Sequence, residues 1–221
     1  MVEEAVNSKR SDGLPYRKLS PKNPFSKGGF LVFLVSNKIC YNKAMILKGE
    51  KIVLRPIRMD DAPRFVKWFN DPDVNKFILN RSLTLPQERK YIQERLKKKA
   101  KDNLHFCIDT KEGAHIGAID IRGIHKRDKD AGFGIIIGDK DYWGNGYGTD
   151  AMKTLLNYGF LKLKLHRVYL TVYSYNKRAI KLYEKLGFKH EGVNREGNFW
   201  NGRFWDSYRM AILDREWKRK N

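Results

Sequence analysis

The chain has 221 residues, 41% of them hydrophobic, with a formal net charge of +20, so it can bury one good core and presents a surface that attracts polyanions. No apolar run reaches membrane-spanning length. Two cysteines, Cys40 and Cys107, and five scattered histidines form neither a disulfide framework nor a metal-ligand spacing, which fits a reducing cytoplasm and gives no metal site.

Residues 1–44 hold Pro15, Pro21, Pro24 and Gly28-Gly29 without periodicity, with eight Lys/Arg against three Asp/Glu. They read as a basic, flexible N-terminal extension, and Met45 is a candidate true start. The apolar run at 30–35 is only six residues, short for a signal peptide. A strand is expected at 51–57. A helix follows from Asp60 through Phe65, Val66 and Phe69, and a second begins after Thr84 with Pro86 in its first turn and runs into the lysines at 97–101. Those lysines are most simply a solvated face.

Strands are then expected at 104–109, 114–121, 131–137 and 166–174, where Val168, Leu170 and Val172 share one face. A further strand near 188–193 leads to Asn201-Gly202, a strong hairpin signal, and a last strand covers 203–213. The basic residues 217–221 read as a C-terminal tail. Mixed strands, hairpins and helices indicate an α+β fold with one domain over 46–216.

The most informative stretch lies between the strand at 131–137 and a helix whose apolar positions Met152, Leu155, Leu156 and Phe160 follow helical spacing. It reads Tyr142-Trp143-Gly144-Asn145-Gly146-Tyr147-Gly148-Thr149. Glycines at a strand-to-helix junction let backbone amides approach a ligand closely, and a helix start favours phosphate. The third glycine of a dinucleotide fingerprint and the Gly-Lys-Ser/Thr of a P-loop are both missing. Downstream, Asn176 caps a helix that Gly187 ends.

Together these segments resemble the GNAT superfamily of N-acetyltransferases. Gly146 and Gly148 occupy the family's loop glycines, and Asn176, Ala179, Tyr183, Gly187 and Phe188 match its Asn-x-x-Ala-x-x-x-Tyr-x-x-x-Gly-Phe pattern. Leu54-Arg55-Pro56-Ile57-Arg58 and Asn201-Gly202-Arg203 resemble the branch holding ribosomal-protein N-terminal and spermidine acetyltransferases. The resemblance implies a mostly antiparallel twisted sheet of about seven strands flanked by about four helices. It also implies acetyl-CoA as acetyl donor, held by Ile135, Ile136, Ile137, Trp143, Gly144, Asn145, Gly146, Tyr147, Gly148, Thr149, Asn176 and Ala179. The helix start at 145–150 would take the pyrophosphate. Backbone amides of the strand at 133–137 would polarise the carbonyl if that strand bulges.

Tyr183 is the candidate general acid; as a plain packing residue it would sit with Ala179, Ile180 and Leu186 on the helix face. Free phenol and thiol differ by about 1.5 pKa units, so proton transfer is uphill by about 2 kcal/mol before the protein acts. Two positions depart from the family. Trp143 stands where Gln or Arg is common, and Gly132 stands where relatives often carry a candidate base, Glu. The base is therefore unassigned, with Asp130, His125 and Glu196 as guesses. Cys107 is a poor nucleophile, having no His partner in the motifs. The aromatics Trp68, Phe69, Phe77, Trp200, Phe204 and Trp205 flank the regions that border the family's acceptor site.

The reading is an acetyl-CoA-dependent N-acetyltransferase, monomer or homodimer, acting on a protein N-terminus, with a ribosomal protein and ribosome or RNA association in view. Its alternative acceptor is a polyamine or other small amine. A rival of another class is a basic RNA-binding module on a degenerate acetyltransferase fold.

Overall fold

The computed structural model describes residues 45–78, 82–97 and 102–220. The expected extension at 1–44, its apolar run and most of the lysine run lie outside them. Among the described residues eight strands form one sheet: β1 (Leu47–Lys48), β2 (Ile52–Pro56), β3 (Leu104–Thr110), β4 (His115–His125), β5 (Asp130–Ile137), β6 (Arg167–Tyr173), β7 (Lys189–Trp200) and β8 (Arg203–Leu213). Their order is β1-β2-β3-β4-β5-β6-β8-β7, antiparallel throughout except for β5 beside β6. The helices are α1 (Ala62–Asn70), α2 (Pro72–Asn75), α3 (Leu85–Lys97), α4 (Tyr147–Asn157), α5 (Lys177–Leu186) and α6 (Asp214–Lys220). The eighth strand is the two-residue β1; the helices beyond four are the single-turn α2 and the C-terminal α6.

Local chemistry accounts for most of these elements. In β6 the buried residues are Val168, Leu170 and Val172, with Tyr169 and Thr171 on the other face, as alternation requires. Before α3, Thr84 N–H donates to Gln87 Oε1 (2.9 Å) and Gln87 N–H donates to Thr84 Oγ1 (3.5 Å), a reciprocal cap. Asn201 and Gly202 take φ of 51° and 75° and turn β7 into β8, the type I′ geometry that Asn-Gly favours. β7 runs seven residues past the expected end at 193. It is an edge strand, exposed over most of its length, so burial imposes no alternation on its sequence.

The C-terminal tail reading is corrected. Residues 214–220 form α6, and Trp217 is 2% exposed, with its Nε1–H donating to Asn157 Oδ1 at 2.9 Å. One apolar residue among basic ones shows no period, yet it closes the core beside Phe160. No described helix is long and apolar enough to cross a membrane.

The feature that positions the site is the parallel pairing of β5 with β6. Only Asp130↔Arg167, Ala131↔Val168 and Gly132↔Tyr169 are in register; beyond Gly132 the two strands part. The expected bulge is absent there, because β5 keeps unbroken register with β4 from Gly132↔Arg122 to Ile137↔Gly117. The sheet opens by splaying instead.

Candidate active site

The splay leaves backbone groups of β5 unpaired on the β6 side. Gly138 N–H donates to Ile116 O at 2.9 Å, toward β4. Strand alternation then turns the N–H groups of Ile135 and Ile137 the other way, into the opening. The carbonyl of Ile137 confirms the sense, since it accepts from Trp143 Nε1–H at 2.7 Å on that side.

The glycine loop leaves β5 through a short 3₁₀ turn capped by Asp139, whose carboxylate accepts from Asp141 N–H. Gly144 and Gly146 have φ of 82° and 86°. Gly146 is the N-cap of α4, in a left-handed conformation that disfavours any side chain. The first turn of α4 is tied down from behind. The buried Asp150 carboxylate accepts from the N–H groups of Glu50 (3.1 Å), Lys51 (2.7 Å) and Ile52 (3.1 Å), so its charge is spent on backbone donors outside the cleft. Lys51 Nζ also donates to Asn145 O at 3.1 Å.

α5 forms the facing wall. Asn176 Oδ1 accepts from Ala179 N–H at 3.2 Å, the expected N-cap, and Gly187 ends the helix at φ 100°. Of the expected site residues, all but Asn145 and Tyr147 line one cleft of about 1510 Å³ between the loop, β5 and α5. Asn145 instead holds the loop through Asp141 O and Lys51, and Tyr147 packs edge-on against Tyr142.

Tyr183 lies in the cleft wall, 7% exposed and packed on the Phe188 ring. Its hydroxyl makes no hydrogen bond with a described residue. Burial pushes its pKa up to about 12, and the positive charge of Arg122 opposes this only in part. Burial therefore widens the mismatch with a thiol that free groups already show.

The other end of the cleft is built by α3 and by β3 and β4. Glu88 is 4% exposed and lines the cleft, and its carboxylate has no hydrogen-bond or ion-pair partner among the described residues. Burial raises its pKa against the opposing charge of Arg95. Asp120 also lines the cleft, 3.0 Å from Arg122 Nε and 3.5 Å from His105 Nδ1. With no side chain on Gly134, both Asp120 and Arg122 reach in over it: a Cβ there would sit 2.6 Å from Arg122 Nη2 and 2.9 Å from Asp120 Oδ1. Gly132 lines the same cleft. The three guessed bases do not: Asp130 pairs with His125 at 3.1 Å, and Glu196 is exposed on β7. Sequence reasoning missed Glu88, although its spacing from Leu85 and Ile92 puts a carboxylate on the inward stripe of α3.

Of the flanking aromatics, Phe77 and Trp200 stack on Tyr175 with centroids 5.9 and 5.0 Å away, while Trp68 is core and Phe204 is 60% exposed. The reading that Cys107 lacks a His neighbour is corrected in space. Ligand atoms of Asp61, Cys107 and His115 lie within 4.8 Å of one another. The carboxylate of this knot is already held by a cation: Arg55 grips both Asp61 oxygens at 2.8 Å and also pairs with Asp109 at 2.6 Å. Burial pushes the Cys107 thiol up and His115 down, so both stay neutral at pH 7. Burial alone would also raise Asp61, but hydrogen bonds from Arg55 and Arg58 N–H outweigh it and hold the carboxyl low.

Residues 51–189 match the family model described as an acetyltransferase (GNAT) domain. The spermidine N(1)-acetyltransferase of Escherichia coli strain K12 is 36% identical over 185 residues, covering 76% of this chain and 89% of the relative. The uncharacterized N-acetyltransferase p20 of Bacillus licheniformis is 30% identical over 174 residues, covering 77% and 97%. Among solved structures, the spermidine N-acetyltransferase from Vibrio cholerae in complex with CoA and spermine superposes with a TM-score of 0.70. It is 25% identical, covering 76% of this chain and 98% of that one.

Proposed function

Since the chain belongs to the GNAT acetyltransferase family and is an acetyl-CoA-dependent N-acetyltransferase, we propose that its acceptor is a small cationic amine. The observation that carries this is Glu88, a nearly buried carboxylate in the cleft wall with no described partner. A buried charge that no ion pair holds is costly, the charge of Arg95 offsets this only in part, and a second ammonium on the acceptor would supply the missing partner. Asp120 adds a further acceptor nearby. The Escherichia coli and Vibrio cholerae relatives, both spermidine acetyltransferases, support the small-amine alternative over a ribosomal protein N-terminus.

Bound acetyl-CoA supplies an acetyl group on a thioester. The chain's part is to orient, polarise and protonate. The outward N–H groups of Ile135 and Ile137 offer donors where charge develops on the carbonyl oxygen. The α4 amides after Gly146 face the phosphate end. Asn176 keeps its Nδ2 for the pantetheine arm. Tyr183, fully protonated at neutral pH, offers its proton toward the leaving sulfur. Family relatives' Glu is absent at Gly132, so the amine's proton leaves by another route, for which water reaching Asp120 is the nearest means.

The test is the acceptor dependence of Glu88→Gln. For a diamine or triamine, KM should rise about tenfold or more with kcat largely kept; for a monoamine it should barely move. Equal effects on both would refute the assignment of the second ammonium to Glu88.

A further inference from the structure

We propose that Arg178 clamps a phosphate of the cofactor, supplying from α5 the cation that the glycine loop lacks. This rests on the placement of acetyl-CoA at that loop. Residues 141–149 contain no Lys or Arg. Lys51, just before β2, has its Nζ 3.8 Å from the place of a Cβ on Gly146, with one of its three donors on Asn145 O at 3.1 Å.

Arg178 is the second residue of α5 and lays its guanidinium 3.8 Å from the centroid of the Trp143 ring. The indole is itself fixed by its bond to Ile137 O. A stacked guanidinium keeps its five N–H groups in plane and free at the ring edge, the fork that fits a phosphate. Several other cations of this fold have carboxylate partners, among them Lys140 with Asp71 at 2.8 Å and Lys189 with Glu216 at 2.6 Å. Arg178 has no ion pair or hydrogen bond with any described residue, and it lines the cleft together with Lys181, one turn further on.

The cation is thus held rigidly by an aromatic face and left without its anion. It lines the same cleft as Gly146 and Gly148, where α4 begins and leaves its first amides without helical partners. A phosphate between them would take donors from two elements, and Trp143 would act as a positioning residue for Arg178.

Calorimetric titration of the full chain with acetyl-CoA, acetyl-dephospho-CoA and S-acetylpantetheine reads the clamp. Arg178→Ala should raise the Kd for acetyl-CoA about tenfold or more, and leave that for phosphate-free S-acetylpantetheine within about twofold. Arg178→Lys, which keeps charge but loses the fork and the flat stack, should fall between. A loss that vanishes with acetyl-dephospho-CoA assigns the 3′-phosphate, and one that persists assigns the pyrophosphate; either upholds the clamp. Unchanged acetyl-CoA affinity in Arg178→Ala, or an equal loss with S-acetylpantetheine, overturns it. Gly146→Asp, verified as folded by circular dichroism, separates the two readings. If it too leaves affinity intact, the loop placement has failed; if it weakens binding while Arg178→Ala does not, the clamp alone has failed.

Discussion

Two cleft residues pay for their positions in opposite ways. Tyr183 is held protonated by burial, near pKa 12, so full transfer to a thiol near 8.5 is uphill by about 5 kcal/mol. As the proposed general acid, Tyr183 would therefore give up its proton as charge develops on sulfur, not before. Tyr183→Phe should keep cofactor affinity and lower kcat by roughly ten- to ten-thousand-fold. Tyr183 should also contribute no basic limb to the kcat profile below about pH 10; an ionisation near neutrality that disappears in the variant would contradict this. Glu88 is the converse case. Its folded pKa is raised, so the neutral form suits the fold. That stability is present below the unfolded carboxyl pKa and is lost as pH rises through the folded value. At pH 7 Glu88→Gln should consequently stabilise the free enzyme while weakening acceptor binding. A gain of about 1 kcal/mol would appear as roughly 2–4 °C in Tm, shrinking at pH 4; a lower Tm at pH 7 would show that the carboxylate has a stabilising partner. Glu88 was readable only as a charge on an inward helix stripe, because its significance depends on what does not touch it.

At the scale of elements, the glycine loop and the α5 cap were legible because their chemistry is local. Gly146 must bear a positive φ, and Asn176 bonds an amide three residues on. What the sequence concealed were long-range ties. Asp150 looks like an ordinary first-turn acid of α4, yet it accepts three N–H groups about a hundred residues away and so fixes where the helix points. Asp150→Ala should strand those donors and cost about 2–4 kcal/mol, a drop of roughly 5–15 °C in Tm. Thermal unfolding measures it, and a change under about 2 °C would mean that water replaces the carboxylate at no cost. The Asp61–Cys107–His115 knot was hidden for the same reason: β2, β3, β4 and the segment before α1 meet there only in the folded sheet.

Across the whole molecule, the strand series could be read from periodicity wherever burial enforces it, and the far half of β7 escaped where it does not, as did α6, whose single buried residue makes no period. The splay between β5 and β6 has no sequence signature at all, since it is a difference between two strands' lengths of pairing. That opening, lined by the glycine loop and α5 and also by Glu88, is what would join a cofactor cleft to the proposed cationic acceptor. The most direct measurement is a one-pot competition with acetyl-CoA, equimolar spermidine and an N-terminal peptide of a ribosomal protein, read by mass spectrometry at early times. The account predicts acetylation of the polyamine well ahead of the peptide; preferential acetylation of the peptide's N-terminus would contradict it.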